Sequence, residues 1–269
     1  MFTRSQGVLK ALDPTNGNEL WNASAPGTSV PGLIGDGVVA GIDGPRCTLR
    51  RLAAASGASQ VTATVGYAYG NNATTRSCVM GPSVLTENGR VAVSTSSTAT
   101  FAVPGCGGTS SNQLWGAAST VTVLDATLNP IWTATDATIG CGTPPAESAI
   151  APFGFAATDT TIFVLSLEVN AYPANGCGAA TCHPAWTAPL GGRIAFYEPV
   201  VAGDVLIAPA WEGHGLFFDA RGCGAAICTN LPGDAPGLGV ISGAVSVVNE
   251  RIYAAGDTTF LTTSEIAPA

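Results

Sequence analysis

Apolar and polar positions alternate along this chain in short runs, and the runs come in pairs around a polar turn. "PGLIGDGVVAGID" (31–43) is the first clear pair, and "GPSVLTENGRVAVST" (81–95) and "APFGFAATDTTIFVLS" (151–166) repeat its design. "EPVVAGDVLIAPA" (198–210) and "GAVSVVNERIYAAGD" (243–257) repeat it again. A period of two predicts strands with one buried face, and Gly, Asp or Asn at the turn accepts the positive φ that a tight hairpin requires. Helical periodicity of 3.6 is hard to find anywhere. The 34 Gly and 18 Pro cut the apolar content into pieces too short for anything but strands.

A second kind of element follows or precedes each hairpin. It reads "VLKALDPTNGNELW" (8–21), "LRRLAAASGASQV" (49–61) and "VTVLDATLNPIW" (121–132). Two further copies, "VNAYPANGCGAATCHPAW" (169–186) and "LFFDARGCGAAICTNL" (216–231), carry cysteines. An apolar strand ends in Asp at Asp13, Asp125 and Asp219, where a carboxylate can bind the backbone two residues on and fix the turn. The returning strand ends in Trp at Trp21, Trp132 and Trp186, a residue wide enough to fill the space between neighbouring sheets. Hairpin plus second element makes a four-stranded unit recurring at propeller-blade spacing. The reading is all-β: a β-propeller of about five four-stranded blades, as one domain over 1–269. Two stretches, 62–80 and 102–119, are rich in Gly, Ser, Thr and Asn and are expected to be loop insertions.

These units resemble the repeat of the pyrroloquinoline-quinone (PQQ)-type, quinoprotein-like β-propellers, which reads A-L-D-x-x-T-G-x-x-L-W after a P-x-V-x-x-x-G-x-V hairpin. The resemblance spans nearly the whole chain and is strongest over residues 8–43. Propellers of that family have about seven or eight blades. The chain opens on a third strand and ends with "TTFLTTSEIAPA", itself a candidate third strand. Either the ends share a blade and close a ring, or the chain is an excerpt of a longer propeller, incomplete at its N-terminus. The resemblance implies a PQQ-dependent oxidoreductase only in members that add a calcium site, a catalytic Asp and often adjacent cysteines. This sequence has no Cys-Cys pair. The resemblance is therefore to non-catalytic members such as the periplasmic propeller lipoprotein of outer-membrane barrel assembly, and no cofactor, catalytic residue or metal is expected.

Eight cysteines change the picture more than the charge does. The chain carries 10 basic and 18 acidic residues, net −8, and no positive stripe on which a nucleic acid could release counterions. Nor does it have an apolar run of about 18 residues, so no transmembrane helix is expected. An even cysteine count with matched spacings reads as a disulfide framework of an extracellular, periplasmic or cell-envelope protein. Repeat logic pairs Cys177 with Cys182, Cys223 with Cys228, Cys47 with Cys78, and Cys106 with Cys141. A zinc site from Cys177, Cys182, Cys223 and Cys228, with His183 alongside, is the competing reading. The opening residues contain no leader-like apolar segment, so a leader is expected upstream. The expected partner is a protein or cell-envelope component. A carbohydrate is the alternative, stacked on Trp115, which stands outside the repeat, and on Trp211, in a Trp-Glu-Gly-His group with His214.

Overall fold

The computed structural model describes residues 1–27, 29–67, 73–101, 113–142, 154–166, 168–190, 198–210, 214–231, 241–248, 251–256 and 262–265. All regular structure among them is β, in six antiparallel sheets. The chain divides into two compact units: Met1–Pro152 with Ala179–Thr181, and Phe153–Gly178 with Cys182–Ala269.

The first unit holds three sheets. One contains β1 (Phe2–Ser5), β2 (Val8–Leu12) and β3 (Glu19–Ser24) in chain order. The next contains β4 (Gly32–Ile34), β5 (Gly37–Ile42), β6 (Cys47–Ala53) and β7 (Ser59–Val65). The third contains β8 (Ala73–Glu87), β9 (Arg90–Phe101), β10 (Gln113–Asp125) and β11 (Pro130–Gly142). Alternation drives the packing: Leu9 of β2 meets Val38 and Ala40 of β5 and Leu52 of β6, with Trp21 at the edge of that layer. On its other face the second sheet meets the third through Val39, Leu49, Cys47, Cys78, Met80, Val84 and Val93.

Two expectations are corrected here. The chain does not open on a third strand, because Phe2–Ser5 already pairs with Val8–Ala11. The two insertions are not simply loops. Residues 73–80 and 113–119 lengthen β8 and β10, so the strands of the third sheet reach 15, 12, 13 and 13 residues. At about 3.3 Å per residue those strands run roughly 40–50 Å, whereas those of the second sheet have at most seven residues.

The second unit repeats the design. The fourth sheet contains β12 (Gly154–Ala157), β13 (Thr161–Leu165), β14 (Glu168–Pro173) and β15 (Trp186–Pro189). The fifth contains β16 (Val200–Ala202), β17 (Val205–Ala210) and β18 (His214–Asp219). They pack through Phe163, Leu165, Trp186, Leu206, Leu216 and Phe218. The sixth contains β19 (Ile241–Val248), β20 (Arg251–Gly256) and β21 (Thr262–Glu265), so the C-terminal tail does contribute a third strand.

Neighbouring sheets are also joined by backbone outside the ladders. In the second unit the Thr187 N–H on β15 donates to the Ala226 carbonyl at 2.9 Å, and the Cys228 N–H returns to the Thr187 carbonyl at 2.7 Å. That is a parallel bridge of Thr187 with Ile227. The first unit has its counterpart, Thr133 of β11 beside Thr181, with the Thr133 N–H 2.8 Å from the Ala180 carbonyl.

Candidate functional site

The repeated residues are used up by the architecture. Asp13 accepts from the Thr15 N–H at 2.8 Å and the Thr15 hydroxyl at 2.6 Å. Asp125 accepts from the Thr127 and Asn129 N–H groups at 2.8 and 2.9 Å. Asp219 accepts from the N–H and guanidinium of Arg221. These donors favour the ionised form, so all three carboxyls titrate below the ordinary Asp range. For Asp13 the Thr15 hydroxyl leads and for Asp219 the Arg221 side chain. At Asp125 desolvation pushes up, and the Asn129 and Thr127 donors together outweigh it.

Trp21 and Trp186 lock their outer strands to the turn of the next sheet. Trp21 Nε1 donates to the Ala54 carbonyl at 2.9 Å, and its ring lies where a Cβ on Gly57 (φ +70°) would come within 2.7 Å. Trp186 stands in the same relation to Gly222 (φ +90°), 2.8 Å from its missing Cβ. Glycine is needed twice over at these positions, for the left-handed backbone and for the ring.

Cys47, Cys78, Cys177, Cys182, Cys223 and Cys228 are all in disulfides. Cys47–Cys78 (Cα–Cα 5.4 Å) joins β6 to β8 and is wholly buried, with the Ser97 hydroxyl 3.3 Å from Cys78 Sγ. Bridges of this kind contribute about 2–4 kcal/mol by restricting the unfolded chain. Cys177–Cys182 and Cys223–Cys228 close short loops with Cα–Cα distances of 5.7 and 5.6 Å. In the structure their four sulfurs are joined in pairs within each loop. No group of three His, Cys, Asp or Glu able to hold a metal occurs among the described residues, and His183 is exposed beside its disulfide. The Cys106–Cys141 pairing lies outside the described residues, as do Trp211 and the side chain of His214.

Trp115 sits on β10, between Thr100 of β9 and Gly140 of β11, and is half-buried rather than displayed on a loop. Its Nε1 is buried and has no acceptor among the described residues. The lengthened strands around it bury hydroxyls, with Ser94, Thr95 and Ser96 fully inaccessible and Ser97, Thr120 and Thr122 nearly so. On the outer strand β11, Thr135, Asp136 and Ala137 are exposed.

Arg4, which carries no mark in the sequence pattern, is heavily engaged in the first unit. Its guanidinium donates to the carbonyls of Ala25, Ser29 (2.7 Å) and Gly41 (2.5 Å) and to the Ser29 hydroxyl. Burial lowers its pKa, opposed by the charge of Asp43. Every partner but one is a backbone carbonyl, and only the scarcity of basic residues hinted at the role.

No family model and no curated protein matches the chain. Among solved structures, it is similar to a quinohemoprotein alcohol dehydrogenase from Pseudomonas putida, with TM-score 0.57 and 14% identity over 94% of this chain and 48% of that one. A quinohemoprotein alcohol dehydrogenase from Comamonas testosteroni gives TM-score 0.56 and 12% identity over 94% of this chain and 49% of that one. A europium-containing methanol dehydrogenase gives 0.50 and 10%, over 97% and 61%. The chain spans about half the length of the first two. The fold is thus a β-propeller. At these identities the likeness is one of fold, and it runs to the quinohemoprotein dehydrogenases, in keeping with the PQQ-type repeat that the A-L-D…L-W segments resemble.

Proposed function

We propose that this chain is part of an exported, non-catalytic β-propeller that acts as a scaffold for a protein or cell-envelope component. The observation that carries the reading is the third sheet. Its strands are about twice as long as the others, and their added length, with exposed Thr135, Asp136 and Ala137 on the outer strand, is not required by the repeat. Extra structure on a repeat scaffold is where binding surfaces are built. The disulfides support export, since such bonds persist in oxidising compartments. A photo-crosslinker placed at Thr135 should capture an envelope component in the native host, and one at exposed Thr62 on β7 should not. Equal capture at both positions, or none at Thr135, removes the support.

The second reading, a PQQ-dependent oxidoreductase, draws on the likeness to the quinohemoprotein dehydrogenases. Calcium and quinone need a convergent set of carboxylates and amides. The described residues do not make that set: Asp13, Asp125 and Asp219 are spent on their own turns. Titration with PQQ and calcium, read by fluorescence quenching and dye-linked alcohol oxidation, separates the two readings. A carbohydrate-binding reading retains one anchor, the half-buried Trp115, whose Nε1 has no acceptor among the described residues.

A further inference from the structure

We infer that the loop closed by Cys223–Cys228 is a thiol-exchange site, attacked at Cys223 by a dithiol reductant, and that opening it unfastens the fifth sheet from β15. The two sulfurs differ in a way that sets a direction. Cys223 is exposed, whereas Cys228 is 4% exposed and packs in the core cluster of Trp186 and Phe218. The Cys223 N–H points at Cys228 Sγ from 3.1 Å. An incoming thiolate therefore meets Cys223 first, and the sulfur that leaves is the one already holding a hydrogen-bond donor that can stabilise it as a thiolate. Cys177–Cys182 has the same construction: Cys177 exposed, Cys182 buried, and the Cys177 N–H 3.1 Å from Cys182 Sγ. Cys47–Cys78 is the contrast, with both residues buried at 0% and 3% exposure.

The exchange balances without any further reactant. One thiolate of the reductant forms a bond to Cys223 Sγ, the Cys223–Cys228 bond breaks, and its electron pair goes to Cys228 Sγ. The reductant's second thiol then displaces Cys223, leaving both cysteines reduced and the dithiol oxidised to a disulfide. The structural consequence follows from where the loop docks. Cys228 and Ala226 hold Thr187 by two hydrogen bonds, and Gly222 just ahead of the loop packs on Trp186. Loss of the ring of bonds that positions residues 223–228 releases that parallel bridge while leaving the β17–β18 ladder intact.

The test uses the native protein with glutathione and then dithiothreitol as probes. With glutathione, mass mapping should find the mixed disulfide on Cys223 and Cys177. With dithiothreitol, alkylation should label Cys177, Cys182, Cys223 and Cys228 well before Cys47 and Cys78. As Cys223–Cys228 opens, hydrogen exchange at the Thr187 and Cys228 amides should accelerate by about tenfold or more, as loss of two hydrogen bonds implies. The Phe218 amide of β18 should not change. A C223S/C228S double variant that folds should show the fast exchange without reductant. If it does not fold, the titration of the native protein decides. An adduct on Cys228, equal reduction of Cys47–Cys78, or reduction with unchanged exchange at Thr187 would overturn the inference.

Discussion

Replacing Gly57 by Ala tests the contact that joins the first two sheets, and the chain supplies its own control. Gly57 and Gly17 close equivalent turns, each N–H donating at 2.8 Å to the residue four back, Ala53 or Asp13. Their φ angles are nearly equal, +70° and +74°. They differ in surroundings: a Cβ on Gly57 would meet Trp21 Cε3 at 2.7 Å and Cδ2 at 2.8 Å, whereas a Cβ on Gly17 meets nothing within 4 Å. The left-handed backbone costs Ala about 1–2 kcal/mol at either site. Reduced freedom of the unfolded chain returns roughly 0.4–1 kcal/mol at both. Overpacking against the indole adds about 1–3 kcal/mol at Gly57 alone. G17A is therefore expected to destabilise by roughly 1 kcal/mol and G57A by roughly 2–4 kcal/mol. Urea unfolding followed by far-UV circular dichroism measures both, with the m-value checked for constancy. In a W21A background the excess cost of G57A should vanish, giving a coupling of about 1–3 kcal/mol in the double-mutant cycle. Equal costs at Gly17 and Gly57, or an excess that survives removal of the indole, would refute the steric account. Gly222, where an added Cβ would meet Trp186 at 2.8 Å, and Gly224, where it would meet nothing within 4 Å, repeat the comparison in the second unit.

Two further outcomes are expected. Arg4→Met should destabilise by roughly 2–4 kcal/mol, because the carbonyls of Ala25, Ser29 and Gly41 lose their shared donor, and Arg4→Lys should recover only part of the loss in thermal unfolding. Carbon-detected NMR titration should place the Asp13, Asp125 and Asp219 carboxyls below the ordinary Asp value of about 3.9. With folded pKa values depressed, their stabilisation is complete above the unfolded value and lost as pH falls through the folded ones. Stability should thus decline below about pH 4, and the decline should be shallower in D125N.

What could be read from the sequence was local. The hairpins were legible because period-two alternation and Gly-Asp-Gly or Asn-Gly turns act within a dozen residues. The Asp and Trp positions were legible because the same local turn recurs. Cys177–Cys182 and Cys223–Cys228 were legible because each pair sits in its own short loop. The long third sheet was not. "STSSTATF" has the composition of a loop. It forms strand because β9 lies between β8 and β10, two partners that supply its ladder bonds on both sides. Ser and Thr take the strand conformation when their neighbours demand it, since β-propensity is largely a property of the site. Strand β1 was hidden for a related reason. Four residues carry too little pattern to register, and the residue that anchors them, Arg4, is held by carbonyls 21, 25 and 37 positions away. A carbonyl leaves no mark in the side-chain sequence, so a charge neutralised by backbone looks in one dimension like a charge left for solvent. The parallel bridge at Thr187 is hidden in the same way, for neither Thr187 nor Ile227 contributes anything but backbone to it. Contacts between sheets in this propeller are therefore legible when a Trp ring and a glycine make them, and illegible when main chain meets main chain.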